Sequence, residues 1–142
     1  MSQFYVGVKQ VFAYPEERDG KPGYHIVYDY QTPQEYHSWS PADKFESAYL
    51  PMGESNDGSK ITHDMVSGFV DFQPTYTHGT KTTVVAANMK NGFEVVESSS
   101  CVDVKNYSEE IGGEICRERI TDQVWHLLGF VLQWARNGIK GA

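Results

Sequence analysis

The sequence predicts an α+β fold, with an N-terminal antiparallel β-sheet and short helices followed by two C-terminal α-helices. Three observations predict it. Aromatic residues make up 13% of the 142 residues, which favours strands. Asn91-Gly92 lies between two strand-like runs and is typical of a hairpin turn. A helical pattern of apolar residues then fills most of the chain after that hairpin.

Two antiparallel strands are expected at the start of the chain. Residues 4–14 alternate and are rich in Val, Phe and Tyr, and a second run of the same kind spans residues 24–30. Turn-forming residues at 19–23 separate the two runs.

A short helix is expected next. Ser40 can cap its free N–H groups, Pro41 suits the first helical position, and Asp43 favours the positive end of the helix. This helix is expected to end at about Tyr49.

The length fits one domain, residues 1–142. Gly, Ser, Asn and Asp are crowded together at 51–60, which predicts an internal boundary there. We therefore expect a β/short-helix segment at 1–52 and a core of hairpin and helices at 61–137.

Beyond this boundary, Thr62 is expected to begin a short helix. Residues 72–78 fit a strand or a loop. The strand-like runs 81–89 and 93–97 flank Asn91-Gly92, which tolerates positive φ angles in a two-residue turn, and they predict a hairpin.

The C-terminal pattern runs from a capping-box-like Asn106-Tyr107-Ser108-Glu109 to about Ala135. One helix of that length is unusual, so a break near Thr121-Asp122 is expected to divide it in two. Gly112-Gly113 inside the first helix has two interpretations: close approach of a ligand or another backbone, and tolerated helix packing.

The charge excludes two classes of partner. Twelve basic against nineteen acidic residues give a formal net charge of −7, which repels nucleic acid and anionic membrane surfaces. The sequence has neither a membrane-spanning apolar run nor a secretory signal pattern at its start, and its two cysteines do not form a disulfide framework. We therefore expect the protein to be located in the cytoplasm of the host.

Catalytic and metal-binding motifs are not found. Phosphate-loop, Rossmann, Gly-x-Ser-x-Gly and zinc-helix patterns do not occur, and the five histidines are isolated from one another and from the cysteines. His78-Gly79-Thr80 matches half of a two-histidine phosphoesterase signature without its second copy. No enzyme activity, cofactor or metal is expected.

Two arginines are the more informative feature. Arg117 and Arg119 are two apart and point to different sides of a helix, so they cannot line one flat face. Arg117 lies four residues after Gly113, and that face combines bare backbone with a guanidinium that can hold phosphate. The alternative is a surface pairing of Arg117 with Glu110, Glu114 or Thr121.

The hairpin and the following helix resemble the small phage-protein family named after gene forty-nine of a coliphage and gene sixty-six of a Shigella phage. The similarity runs from about Ile61 to Trp134. Its residues are Asn91-Gly92-Phe93, Glu97 to Asp103, Asn106-Tyr107, Glu110-Ile111-Gly112, Arg117-Glu118, Val124-Trp125 and Leu128-Gly129. A segment around Tyr36 to Tyr49 is similar to one found in front of several unrelated small phage proteins.

The chain also resembles phage proteins that inhibit the Thoeris defence by sequestering its cyclic ADP-ribose signal. The resemblance implies an anti-defence sponge that binds a cyclic nucleotide without cleaving it and assembles as a homo-oligomer. Some members of that group also bind cyclic oligonucleotides. The apolar side chains of the second helix are expected to contact another subunit in part: Leu127, Leu128, Val131, Leu132 and Trp134.

The same resemblance implies a set of ligand-binding residues. Phe93 would stack on adenine, Asn91 would make a polar contact, Arg117 would hold phosphate, and Asp103 would accept from a ribose hydroxyl. Relatives have a basic residue where this chain has Gly113, and Arg119 is the residue that would compensate.

Other functions fit the same sequence. An acidic phage protein can bind and inhibit a basic host protein, to which its charge would steer it. Degradation of the signal is a third function. Stabilisation by a small molecule alone distinguishes the sponge from the protein inhibitor.

Overall fold

A computed structural model describes residues 1–141, and it confirms the α+β class. The described chain divides into two compact units, residues 1–55 with 131–141 and residues 56–130. The division at Ser55 falls inside the stretch 51–60, where the sequence predicts an internal boundary.

The first unit contains a three-stranded antiparallel sheet in the order β1-β2-β3. The strands are β1 (Phe12–Pro15), β2 (Gly23–Tyr28) and β3 (Tyr36–Pro41), and helix α1 (Ala42–Ala48) follows directly. Ile26 and Val27 of β2 are both buried. A central strand buried on both faces is what places two adjacent apolar residues inside the unit.

Trp39 of β3 reaches across β2 to the residue that follows β1. Its indole Nε1 donates to the carbonyl of Glu16 over 2.8 Å, and its ring lies where a Cβ on Gly23 would be. The glycine therefore provides the space that the indole occupies.

Two sequence predictions for this unit are wrong. The strand predicted at 4–14 is a strand only over Phe12–Pro15, because the preceding residues have no neighbouring strand to bond to. Ser40 does not cap α1: Pro41 holds the cap position without a side-chain bond, and Asp43 Oδ1 accepts the N–H of Lys44 instead.

The second unit begins with α2 (His63–Phe69), capped as predicted by Thr62, whose hydroxyl accepts from Met65 N–H over 3.3 Å. Its sheet contains β4 (Val70–Phe72), β5 (Tyr76–His78), β6 (Thr82–Met89) and β7 (Glu94–Ser100), all antiparallel. Strand β6 is central: β4 and β5 pair with its two ends on one side, and β7 pairs along the other.

The predicted β6–β7 hairpin is confirmed, with a different turn. Gly92 N–H bonds to the carbonyl of Met89 over 2.9 Å, and Met89 N–H bonds to the carbonyl of Phe93 over 2.8 Å. Three residues form the loop, and only Gly92 has a positive φ, of 87°. Asn91 contributes its side chain instead: Oδ1 accepts Phe93 N–H over 3.1 Å.

The predicted pair of C-terminal helices is one continuous helix, α3 (Glu109–Asn137). The expected break does not occur, and Thr121 does not cap a second helix: its hydroxyl turns back to the carbonyl of Arg117, four residues earlier, at 2.8 Å. Asn106 does not cap the helix either. It ends a 3₁₀ turn, Val104–Asn106, and Ser108 Oγ accepts Ile111 N–H over 3.2 Å.

The core of the second unit lies between α3 and β6. A buried stripe recurs along α3 every four residues, and alternate residues of β6 are buried as well. The residues are Gly112, Cys116, Ile120, Val124 and Leu128 on the helix and Thr83, Val85, Ala87 and Met89 on the strand.

Of the two interpretations of the double glycine, the structure favours the close approach of another segment of the chain. A Cβ there would overlap the side chain of Thr83, and Cys116 Sγ lies 3.8 Å from the carbonyl of Thr83. A Cβ on Gly113 would lie 3.2 Å from Thr75 Oγ1. Both glycines therefore allow the helix to approach its own sheet closely.

Candidate functional site

A shallow depression of about 380 Å³ lies between the β6–β7 turn and the middle of α3. Phe93 forms one wall, and the helix forms the other. The helical residues lie within two turns of each other: Asp122, Gln123, His126 and Leu127. Most of the surface of the depression is apolar, although three of its four helical side chains carry a carboxylate, an amide or an imidazole.

The turn fixes the backbone from which Phe93 projects. Its N–H is bonded to Asn91 Oδ1 and its carbonyl to Met89 N–H, while the side chain remains 58% exposed. An aromatic ring held on a fixed backbone and open to solvent is suited to stacking on a planar group, because little ordering is required when a ligand binds.

Arg119 lies on the same side of α3, one turn before Asp122 and Gln123. Its Nη1 donates to the carbonyl of Ser98 on β7 over 2.9 Å. This bond holds the side chain over the strand that follows Phe93. A guanidinium has five N–H donors, so Arg119 keeps donors for a second group.

Arg117 lies on the opposite side of the helix. Two residues turn an α-helix by about 200°, and Arg117 Nη1 donates to Thr75 Oγ1 over 3.1 Å, on the side of the sheet away from β7. A Cβ on Gly113 would be 3.0 Å from that same Nη1. The missing side chain at Gly113 thus makes room for the guanidinium, and Thr75 is its partner instead of Glu110, Glu114 or Thr121.

Asp103 and Phe93 lie beyond opposite ends of β7. The strand has seven residues, each adding about 3.3 Å, so its ends are roughly 20 Å apart. Asp103 Oδ1 accepts Lys105 N–H over 2.9 Å and caps the 3₁₀ turn. Of the five predicted site residues, Asn91, Phe93 and Arg119 lie on the β7 side of α3, whereas Arg117 and Asp103 do not join them.

Sequence reasoning missed the helical wall of the depression. Asp122, Gln123 and His126 follow Arg119 at spacings of three, four and seven, which is the spacing of one helix face. That signal was present in the sequence. Whether this helix face lies beside Phe93 depends on how α3 is rotated about its axis relative to β7. The bond from Arg119 to the carbonyl of Ser98 shows that rotation.

The cysteines do not contribute to this site. Cys116 is buried, and desolvation raises the pKa of its thiol, which keeps it protonated. Cys101 Sγ contacts the carbonyl of Asp103 at 3.3 Å. Among residues 1–141, no three His, Cys, Asp or Glu side chains are grouped so that they could hold a metal ion.

A second group of titratable side chains lies on the first unit's sheet. His25 Nδ1 is 3.3 Å from Glu16 Oε2, His25 Nε2 is 2.7 Å from His37 Nδ1, and His37 Nε2 is 2.9 Å from Glu35 Oε1. The histidines are therefore paired rather than isolated as the sequence suggested.

The hydrogen bonds at Glu35 shift its titration. The N–H of Gln31 donates to Glu35 Oε2 over 2.8 Å, and this bond, followed by that from His37, lowers the pKa of the carboxyl. Both bonds favour the ionised form.

The fold and the depression define an α+β protein in which a long helix covers an antiparallel sheet and an exposed hairpin aromatic faces that helix. The chain belongs to the Phage protein (N4 Gp49/phage Sf6 gene 66) family, whose model matches residues 52–135. That match covers more than half of the chain and confirms both the predicted family and the bacteriophage origin. No curated protein and no solved structure matches the chain significantly. No helix in residues 1–141 is long and apolar enough to span a bilayer.

Proposed function

We propose that this phage protein binds and sequesters a cyclic nucleotide immune signal without cleaving it. The signal would be a cyclic ADP-ribose isomer or a cyclic oligonucleotide, and the effect would be inhibition of a host defence such as Thoeris. The observation that carries the proposal is the exposed ring of Phe93 beside a largely apolar depression on α3, whose helical residues Asp122, Gln123 and His126 also carry polar groups.

The chemistry of the depression suits a nucleotide. Stacking of a base on an aromatic side chain contributes about 1–3 kcal/mol, and Gln123 and Asp122 can bond to base edges or ribose hydroxyls. Arg119 is the phosphate ligand that the geometry favours, because Arg117 is bonded to Thr75 on the other side of the helix. Arg117 and Asp103 would reach the same ligand only from a second copy.

A second copy is also what would close the site. The depression is shallow, whereas small-molecule sites bury most of their ligand. Leu127 at its rim and Val131 one turn later keep about two-fifths of their surface exposed, at 40% and 43%. We therefore include a homo-oligomer in the host cytoplasm in the proposal, with these side chains at the contact.

The proposal is tested by depletion and release. The purified protein is mixed with cyclic ADP-ribose isomers and cyclic oligonucleotides, free ligand is removed by filtration, and the protein is then heated. Intact ligand released only after heating supports sequestration. Altered ligand would show an enzyme, and an undepleted panel would contradict the proposal.

Substitution of Phe93 locates the site. Phe93→Ala is expected to weaken binding roughly 5- to 150-fold, the equivalent of the stacking energy of one base. Tyr76→Ala is the matched control, since Tyr76 is an exposed aromatic of the same unit on β5. Equal affinity of the Phe93 and Tyr76 variants would place the ligand elsewhere.

The second candidate is inhibition of a basic host protein. A net charge of −7 and exposed apolar side chains on β7 and α3, such as Val96 and Leu127, favour it. It predicts no thermal stabilisation by any nucleotide and a complex with a host protein that is lost at high salt.

A further inference from the structure

The first residues of the chain form an exposed apolar segment in front of β1. Phe4, Tyr5 and Val6 each have 81% or more of their surface exposed. No backbone–backbone hydrogen bond joins residues 1–9 to any other described residue. We call residues 4–9 the N-terminal arm. The next residue, Gln10, is held by its side chain, which donates to Met52 Sδ and accepts from Arg136 Nη1.

The arm has the composition of a strand. It reads Phe-Tyr-Val-Gly-Val-Lys, and Gln10 and Val11 follow it before β1 begins at Phe12. Val, Phe and Tyr are the residues that strands favour, and glycine is the one weak position in the arm. The arm is therefore an upstream extension of β1 without a neighbouring strand in its own chain.

Strand β1 itself has an open edge. Within residues 1–141 it pairs with β2 alone, so its other side presents unpaired N–H and C=O groups. Unpaired edges join other strands unless they are blocked by charge, proline or a bulge. Pro15 blocks only the last residue of β1, and the arm carries one charge, on Lys9.

We propose that the arm and the open edge of β1 pair with the same segment of a second copy, antiparallel and across a two-fold axis. This pairing satisfies the backbone groups of both arms and joins two three-stranded sheets into one. It does not rest on the proposed cyclic nucleotide function.

The charge distribution favours self-association through the arm rather than through the acidic remainder of the chain. The first fifteen residues contain no Asp or Glu, although the chain as a whole carries −7. Carboxylates brought together between two acidic chains would cost free energy. An interface built from these residues avoids that cost, because it contains none.

The exposed side chains of the arm supply much of the area that a dimer needs. An aromatic side chain buries about 150–250 Å², so Phe4 and Tyr5 from two copies supply roughly 600–1,000 Å². The valines and the backbone add to this area. The total approaches the roughly 1,200–2,000 Å² of a specific interface.

The test is the molar mass of the full chain by light scattering and sedimentation, together with hydrogen exchange of the arm. The wild type is expected to be at least a dimer, with slowed exchange of the arm amides. Val6→Pro removes a donor from the paired strand and is expected to weaken self-association roughly tenfold or more. Val6→Thr, which keeps the N–H and a strand-forming side chain, is expected to retain it.

Each outcome decides the proposal. Loss of the dimer and of arm protection in Val6→Pro alone, with a circular dichroism spectrum that shows a folded chain, supports it. A monomeric wild type overturns it, and so does a dimer that Val6→Pro leaves intact. The variant is expected to stay folded because Val6 is exposed, so its substitution does not disturb a core.

Discussion

At the scale of single residues, Gly112 sets the distance between α3 and β6. A Cβ there would overlap Thr83, which is fully buried and hydrogen-bonded to Tyr107 over 2.9 Å, so Thr83 cannot move without losing that bond. Gly112→Ala is expected to lower the free energy of unfolding by about 1–3 kcal/mol or more. Urea unfolding followed by circular dichroism measures the change.

Gly129 provides the matched control on the same helix. No atom lies within 4 Å of the place where its Cβ would be, so Gly129→Ala is expected to stabilise the protein by up to about 1 kcal/mol through helix propensity. If both substitutions changed stability in the same direction, the close approach at Gly112 would not be the reason for the glycine.

The lowered pKa of Glu35 predicts a pH dependence. A carboxyl whose pKa is lower in the folded than in the unfolded protein stabilises the fold above its unfolded value, near the ordinary 4.5. That contribution is lost as pH falls through the lower, folded value. Glu35→Gln is therefore expected to destabilise the protein at neutral pH, and the difference from wild type is expected to shrink in acid.

Unfolding curves measured at a series of pH values check this expectation. Glu54→Gln is the control, because Glu54 is an exposed carboxylate of the same unit. A Glu35→Gln difference that stayed constant down to the acid limit would show that the Gln31 and His37 bonds do not act on the ionised carboxylate.

The sequence predicted part of the candidate site at this scale. Phe93, Asn91 and Arg119 lie on one side of α3, and the opposite directions of Arg117 and Arg119 follow from helix geometry alone. The assignment of Arg117 to phosphate stays a prediction. The sequence could not show that the guanidinium of Arg117 bonds to Thr75, because that contact joins residues 42 apart in the chain.

At the scale of elements, the continuity of α3 is the main difference from the sequence prediction. Ser, Thr and Asp begin helices often enough to suggest a break at Thr121-Asp122. The buried stripe Cys116, Ile120, Val124 keeps one phase across that point, however, so both halves pack on the same sheet. The strands were predicted better, since hairpin turns are local, whereas strand 4–14 lacked a partner in the chain.

A chain of hydroxyl groups holds the start of α3 on the sheet. Thr77 Oγ1 donates to Glu109 Oε2 over 2.8 Å, so it accepts from Tyr107, which in turn accepts from Thr83. Tyr107→Phe would leave the hydroxyl of the buried Thr83 without its acceptor. The expected loss is about 1–3 kcal/mol, with faster hydrogen exchange in the first turn of α3.

Tyr76→Phe removes the same atom from an exposed tyrosine of the same sheet and is expected to change stability by less than about 0.5 kcal/mol. Equal unfolding free energies for the Tyr107 and Tyr76 variants would mean that the relay does not fix the helix. Exchange limited to the first turn distinguishes local release from a general loss of stability.

At the scale of the whole molecule, a net charge of −7 acts in opposite directions on the two proposed functions. It opposes the approach of an anionic nucleotide, and salt screens that repulsion. It attracts a basic protein, and salt screens that attraction. As far as the charge of the whole chain is concerned, salt therefore affects the two interactions in opposite directions.

We expect the affinity for a cyclic nucleotide to stay constant or to increase as ionic strength rises from about 0.01 to about 0.15 M, where the Debye length falls from about 30 to about 8 Å. Isothermal titration at several salt concentrations measures it. Asp71→Lys with Glu114→Lys makes the chain less acidic at two exposed positions and is expected to tighten binding at low salt only. Affinity that falls steeply with salt would indicate local ion pairs, with Arg119 dominant over the field of the chain. A host protein whose binding is lost over the same range would favour the inhibitor instead.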